Sequence, residues 1–215
     1  MFVLIDGGSV GQVFRVWRGG YYYHGGLVGG IAGYIGYLWL TGNRIRDGLD
    51  WVAPFAALGE AVARIGCLLA GCCFGSVTQF TVAVVYPPQS HAWWRHVVTG
   101  GITKTSLWSM PVHPAPIYTV YVMLVLYVYL RWLQQRRRFP GQIALHYLTW
   151  HSISRIALEY FRDDMPQRTD GWTTTQTTAA GIAVAAAGIL LWQYVKQFTH
   201  NPSRSDGAQA LEDSS

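Results

Sequence analysis

Residues 105–130 read TSLWSMPVHPAPIYTVYVMLVLYVYL, and this stretch contains no Lys, Arg, Asp or Glu. Two other stretches, residues 19–43 and 171–195, are equally free of charged side chains. A helix needs about 20 predominantly apolar residues to cross the hydrocarbon core of a bilayer. The distribution of charge alone therefore predicts three membrane helices.

The composition of the 215-residue chain excludes several classes of protein. Hydrophobic residues make up 51% and charged residues 13%, whereas soluble domains carry about 25% charged residues. The 10 Trp and 13 Tyr fit the membrane interfaces, where aromatic rings concentrate. The net charge of +5 comes from basic residues that separate apolar stretches rather than form one soluble surface, so nucleic acid is not an expected partner.

Two further candidate helices carry charges. Residues 51–74 include Glu60 and Arg64, and residues 141–162 include three charged side chains in their second half. A charge inside a membrane is costly and usually faces a bundle interior or a watery cavity. We predict an all-α, polytopic integral membrane bundle of about five helices, near residues 21–41, 51–74, 114–133, 141–162 and 177–196.

The basic residues also predict the orientation of the chain. Four arginines follow the third helix closely, and the positive-inside rule places such a cluster in the cytoplasm. The loop 41–50 is then cytoplasmic and the loop 75–112 is outside. We expect residues 1–20 to form a short extracytoplasmic segment, residues 21–198 the bundle, and the polar residues 199–215 a disordered cytoplasmic tail. The four arginines are Arg131, Arg136, Arg137 and Arg138.

One face of the fourth helix carries an unusual set of polar side chains. His151, Arg155, Glu159 and Arg162 follow one another at intervals of four, four and three, which places them on one helix face. Two arginines exceed one carboxylate, and an arginine is well shaped to bind a phosphate with two hydrogen bonds. Arg64 adds a further positive charge. The alternative is an ion pair within the helix that only neutralises a buried arginine.

The predicted orientation brings polar groups from four helices to one level. Arg64 and Arg155 fall in the outer half of the membrane, and His24 and His113 lie at the outer ends of the first and third helices. A lipid phosphate could reach this level laterally from the outer leaflet. His24 is then either a base or hydrogen-bond donor near the headgroups, or an interfacial histidine without a chemical role.

The three cysteines, Cys67, Cys72 and Cys73, lie within the second predicted helix. On a continuous helix neither spacing places two thiols on one face, so a metal pair would need ligands from elsewhere. We expect buried thiols that pack as small hydrophobic groups. A catalytic thiol is the less favoured alternative, because the sequence fixes no base beside it.

Four segments, read in order, resemble the bacterial prolipoprotein diacylglyceryl transferase family. They look like its histidine-glycine motif, its arginine-glycine signature, its HPxQxY-type segment and its late R-x-x-x-E-x-x-R helix. Their order and spacing agree with the family across most of the chain. The segments are VWRGGYYYHGGLVGG at 16–30, ARIGCLLAGCCFG at 63–75, VHPAPIY at 112–118 and SRIALEYFRDD at 154–164.

The resemblance implies transfer of a diacylglyceryl group from phosphatidylglycerol to the lipobox cysteine thiol of a preprolipoprotein. It implies His24 as the candidate base, and Arg64 and Arg155 as the residues that hold the phosphate. No cofactor and no metal are expected. The expected partners are phosphatidylglycerol, the lipobox segment and membrane lipids. The expected location is the bacterial inner membrane, crossed several times, with the site toward the extracytoplasmic leaflet.

The resemblance also implies further roles around the two arginines. Glu159 would orient Arg155, Arg162 would attract the headgroup from the outer edge, and Gly75 would let the chain turn near the site. The implied substrate-binding residues are Arg64, Arg155, Glu159, Arg162, Gly75, His113 and Tyr118.

The chain departs from the family pattern at several positions. Cys67 stands where the family usually has asparagine, Cys72 where it usually has glutamate, Ala63 where it usually has glycine, and Pro116 where it usually has glutamine. Family members also have two membrane helices and an outer arm before the histidine motif, whereas 23 residues precede His24 here.

Three other functions remain open from the sequence. An inactive or altered relative would bind lipid without transferring it. A haem or redox protein would use His146 and His151, or His24 together with the cysteines. A small transporter is the third alternative, because intramembrane charges are frequent in transporters.

Overall fold

The computed structural model describes residues 23–161 and 173–199. These residues contain six helices and no β-strand, which confirms the prediction of an all-α membrane helix bundle. Three of the helices, α2, α4 and α6, are long and apolar enough to cross a membrane. The membrane crossings of α1 and α5 stay predictions. The helices are α1 Tyr23–Leu40, α2 Ile45–Ala70, α3 His91–Val98, α4 Ala115–Gln134, α5 Gln142–Glu159 and α6 Thr174–Thr199.

Helix α2 corrects the predicted limits 51–74 at both ends. It begins at Ile45, so the preceding loop is shorter than the predicted loop 41–50. It ends at Ala70 because Gly71 adopts a left-handed conformation with φ +65°. The N–H of Cys72 donates to the carbonyl of Cys67, and that of Gly71 to Leu68. These two bonds form a Schellman motif, in which glycine ends the helix without strain.

The chain forms two compact units that meet in sequence after Gly48. In the first unit, the hydroxyl of Tyr34 donates to the carbonyl of Gly48 at 3.0 Å. The side chain of Leu38 packs so closely on Gly48 that a Cβ atom there would lie 2.5 Å from Leu38 Cδ1. These contacts join α1 to the first turn of α2.

The core of the second unit lies between α2, α4 and α5. Helix α2 contributes alanines at every fourth position, and these small side chains let the neighbouring helices approach closely. Helix α4 contributes the larger side chains that fill the space. The buried residues of this core are Ala53, Ala57, Ala61, Met123, Leu126, Leu130, Leu133 and Ile143.

Asp50, buried near the start of α2, holds the start of α5. Its Oδ2 accepts a hydrogen bond from Gly141 N at 2.7 Å, and its Oδ1 accepts one from Ala144 N at 2.9 Å. The first N–H groups of a helix have no partner within the helix, and a carboxylate there also meets the positive end of the helix dipole. Arg137 Nε lies 3.3 Å from Oδ2.

The segment between α2 and α4 contains a short helix that the sequence analysis did not predict. Helix α3 begins after Ser90, whose Oγ accepts a hydrogen bond from Trp93 N at 3.2 Å. Val112 pairs through its backbone with Val84. Together with Phe74, Tyr86 and Ala92, Val112 forms a small second core.

Candidate functional site

Glu60 on α2 connects a histidine and an arginine. Its Oε2 lies 2.8 Å from His151 Nε2 on α5, and its Oε1 accepts a hydrogen bond from Arg64 Nη2 at 2.9 Å. The side chains of Arg64 and Glu60 are 17% and 12% exposed. The carboxylate thereby fixes the arginine and joins α2 to α5.

Two of the contacts between α2 and α5 share one sequence offset. Gly141 and Asp50 differ by 91 positions in the sequence, and so do His151 and Glu60. Contacts that advance in the same direction along both helices indicate that the helices run parallel. Arg155 and Arg64 also differ by 91 positions. Because this offset matches that of the two contacts, we expect the two arginines to lie at similar levels, one turn beyond the contact between Glu60 and His151.

Arg155 pairs with Glu159 on its own helix. The Nη2 atom of Arg155 lies 3.3 Å from Glu159 Oε2, so the ion pair that the sequence left as an alternative does form. Glu159 is buried, and its Oε1 accepts a hydrogen bond from Thr173 Oγ1 at 3.1 Å. Thr173 and Gln176 bond each other's backbone N–H groups, which is a capping box at the start of α6. Glu159 thus joins Arg155 to the first turn of α6.

His113 and Tyr118 interact directly at the start of α4. His113 Nδ1 lies 3.2 Å from the hydroxyl of Tyr118, and both rings contact Phe161 edge-on. The N–H of Gly75 donates to the carbonyl of His113, and the N–H of Ser76 donates to that of Phe161. Three of the four segments that carry the family resemblance therefore meet at this point.

The role predicted for Gly75 needs correction. Gly75 does not have a positive φ, and the chain turns at Gly71 and Cys73 instead. A Cβ atom on Gly75 would lie 2.5 Å from the carbonyl oxygen of Phe161 and 2.6 Å from Cβ of His113. A glycine is needed here because two backbone segments pass too close for any side chain.

The prediction that the three cysteines lie in one helix, where neither spacing places two thiols on one face, was wrong. It assumed one helix through residue 74, but the Schellman motif at Gly71 and the left-handed Cys73, with φ 56°, fold the chain back. The three Sγ atoms lie within 4.8 Å of one another. Arg64 Nη1 lies 3.7 Å from Cys73 Sγ. Partial burial, followed by the neighbouring thiols, raises the pKa of Cys72 to about 12.

Two predicted site residues have side chains that lie outside the described part of the structure. His24 belongs to the first turn of α1, but its side chain lies outside the described residues, as does the whole of Arg162. Their roles stay predictions. His146, considered above as a haem ligand, instead has Nδ1 3.0 Å from the hydroxyl of Tyr129 and Nε2 3.4 Å from that of Tyr194.

Glu60 and His151 were not among the predicted site residues. One signal for Glu60 was available, because it precedes Arg64 by four positions and such pairs meet on a helix. His151 was part of the polar face of α5. Its contact with Glu60 depends on the packing of two helices that are distant in sequence, and no spacing rule predicts that.

Comparison with known proteins decides the family. The model of the prolipoprotein diacylglyceryl transferase family matches residues 2–193. The chain belongs to this family. This match confirms the resemblance seen in the sequence. The chain is thus a membrane protein of a transferase family.

Several curated relatives of this chain are named phosphatidylglycerol–prolipoprotein diacylglyceryl transferase. A Clostridium perfringens protein, the second of that name, is 28% identical over 184 residues, which cover 86% of this chain and 66% of the relative. A Pseudoalteromonas translucida protein is 29% identical over 191 residues, covering 87% and 64%. A Vibrio vulnificus protein is 30% identical over 152 residues, covering 70% and 49%. The chain thus spans about half to just under two thirds of these relatives.

Proposed function

We propose that this chain is a phosphatidylglycerol–prolipoprotein diacylglyceryl transferase. The observation that carries the proposal is that Arg64 and Arg155 lie on two helices joined by the contact between Glu60 and His151, and that each pairs with a carboxylate four positions away on its own helix. The names of the relatives supply the substrates. The geometry supplies a place where the leaving phosphate could be held.

The reaction requires one bond to form and one to break. The sulfur of the lipobox cysteine attacks the glycerol carbon that carries the phosphate ester, and a thioether forms. The bond between that carbon and the ester oxygen breaks, and glycerol phosphate leaves with the bonding electrons. The thiol proton passes to a base, for which His24 is our candidate. Negative charge therefore develops on the leaving phosphate and must be stabilised.

Two guanidinium groups at one level suit this charge. A guanidinium has five N–H donors in a fixed plane. A single carboxylate oxygen uses only some of these donors, so others remain for a phosphate. Glu60 holds Nη2 of Arg64, which fixes the plane of the group before substrate arrives. Donors positioned in advance and shielded from water stabilise a transition state far better than mobile ones. Glu159, whose Oε1 accepts a hydrogen bond from Thr173, forms an ion pair with Arg155 through Oε2 at 3.3 Å.

The remaining candidate residues take supporting roles in this proposal. His113 and Tyr118 form one wall beside Gly75, where the lipobox segment or the lipid glycerol could lie. Arg162 follows Arg155 by seven positions in the sequence and would attract the phosphatidylglycerol headgroup. The site would face the extracytoplasmic leaflet of the bacterial inner membrane, where preprolipoproteins and phosphatidylglycerol meet.

Complementation tests the proposal. The chain is expressed in a bacterium depleted of its own transferase, and a model preprolipoprotein is followed by mass spectrometry. We expect a mass gain of one diacylglyceryl group with the wild-type chain and none with Arg155→Ala. A chain that inserts into the membrane and binds phosphatidylglycerol, yet modifies no acceptor, would contradict transfer and favour the lipid-binding alternative.

A further inference from the structure

The cysteine cluster formed by Cys67, Cys72 and Cys73 is unused by the proposed reaction. The chain contains three cysteines, and all of them belong to this cluster. They come from different local structures, since Cys67 lies in the last turn of α2 and the other two follow the helix end. No continuous helix would bring them together, so the cluster is a product of the turn.

The spacing of the thiols matches what a metal ion requires. Zinc–thiolate bonds are about 2.3 Å long, so three thiolates around one tetrahedral ion have sulfur atoms about 3.8 Å apart. The three Sγ atoms already lie within 4.8 Å of one another. The difference is about 1 Å, which is within the reach of side-chain rotation.

The charges around the cluster suit an anionic complex. Three thiolates and one divalent ion carry a net charge of −1, and Arg64 Nη1 lies 3.7 Å from Cys73 Sγ. The positive charge of an arginine would repel a metal cation that has no anionic ligands. Beside a complex of three thiolates, the same charge compensates the extra negative charge.

Tyr86 provides a second, independent observation. Its side chain is 5% exposed, and among the described residues its hydroxyl is one of two buried side-chain groups without a hydrogen-bond partner. Its ring packs against Gly71, and it lies close enough to Cys72 and Cys73 to interact with them electrostatically. A buried hydroxyl normally has a partner, and a metal-bound thiolate would accept its proton in a hydrogen bond.

We propose that Cys67, Cys72 and Cys73 bind one thiophilic d10 metal ion, with Arg64 and Tyr86 supporting the thiolates. Soft sulfur ligands select zinc, cadmium or copper(I) over magnesium or calcium. Each thiol loses its proton to solvent on binding, and a fourth coordination position stays open. The ion would cross-link the end of α2 to the following turn. The proposal does not depend on transferase activity.

Cadmium titration of the full chain in detergent tests the site. The protein is first reduced with a phosphine, which contains no thiol, and the thiolate-to-cadmium charge-transfer absorption is then followed. We expect one ion per chain and competition by zinc. Each of Cys67→Ser, Cys72→Ser and Cys73→Ser should weaken binding by about 100-fold or more, and Tyr86→Phe by about tenfold, as for other outer-shell partners.

A control variant and a second measurement keep the result clear. Met110→Leu removes a sulfur atom outside the cluster and should bind cadmium as the wild type does. Zinc should protect all three thiols of the wild-type chain against maleimide, counted by mass spectrometry, which requires no variant to fold. Equal labelling with and without zinc, or no charge-transfer band in the reduced protein, would overturn the proposal. If reduced chains bind no cadmium and two of these cysteines form a disulfide on exposure to air, the cluster is a redox pair and the metal proposal is overturned.

Discussion

Helices α2 and α5 are joined twice by a carboxylate of α2, and the two junctions differ in their partners. At one end Asp50 accepts hydrogen bonds from the backbone N–H groups of Gly141 and Ala144. Ten residues further along α2, Glu60 contacts two side chains, those of His151 and Arg64. Backbone donors cannot rotate away, whereas side chains can exchange partners when a ligand arrives. The first junction fixes the register, and the second can take part in chemistry.

Replacing the arginines should have the largest effect on transfer. We expect Arg64→Ala and Arg155→Ala each to lower the transfer rate about a thousand-fold, because preorganised donors to the developing charge are lost. The rate is measured with purified enzyme and a lipobox peptide, after equal membrane insertion is verified. Arg64→Lys and Arg155→Lys should recover little, since an ammonium group cannot bind a phosphate with two parallel bonds.

Arg46→Ala is the matched control for these variants, because this arginine is exposed and lies in the first unit. It should retain the wild-type rate. A wild-type rate in Arg64→Ala or Arg155→Ala would refute the phosphate role of that arginine.

Replacing Asp50 should damage stability more than chemistry. Asp50→Ala leaves two N–H groups of α5 and the charge of Arg137 without this acceptor, which should lower the free energy of unfolding by about 3 kcal/mol. Thermal unfolding in detergent measures this loss. The transfer rate per folded molecule should fall far less in Asp50→Ala than in Arg155→Ala. Equal rate losses in the two variants would show that the junction at Asp50 is not mainly structural.

Gly75→Ala tests the close approach of backbones beside the arginines. The added methyl group would meet Phe161 O and His113, so we expect a loss of about 2 kcal/mol from overpacking. Gly66→Ala is the control, because a Cβ atom there meets nothing within 4 Å and alanine favours the helix. Equal unfolding temperatures for the two variants would show that the segment at Gly75 is not confined.

Replacing Glu60 should give the smallest effect. In contrast to Asp50, it should change the transfer rate more than the free energy of unfolding. Glu60→Gln keeps the size of the side chain but removes the charge that fixes Arg64, and we expect about a tenfold loss of rate. Unfolding should change by less than about 1 kcal/mol. A large loss of stability with an unchanged rate would indicate that Glu60 is a second structural junction.

The sequence predicts the helices better than it predicts their meeting points. The predicted limits 114–133 and 177–196 lie within three residues of those of α4 and α6, because insertion into a bilayer depends on local composition. The end of α2 was misplaced because the apolar pattern continues past Gly71, while the helix stops at its left-handed conformation. Helix α3 was missed because its eight residues are too short for a periodic signal.

The candidate site shows the same division. Arg64, Arg155 and Glu159 could be found from spacing and family resemblance, and Gly75 could be found without its physical reason. The cysteine cluster and the contact between Glu60 and His151 could not, because both depend on a turn or a helix pair whose geometry lies outside any single stretch of sequence.

The constant offset between α2 and α5 has an evolutionary consequence. One residue inserted into a helix rotates everything beyond it by about 100°, so an insertion between Asp50 and Arg64, or between Gly141 and Arg155, would turn an arginine away from its counterpart. Insertions elsewhere between the two helices would leave the arginines aligned. Length variation among descendants of this gene should therefore avoid those two windows, which contain equal numbers of residues, and collect in the loops between them.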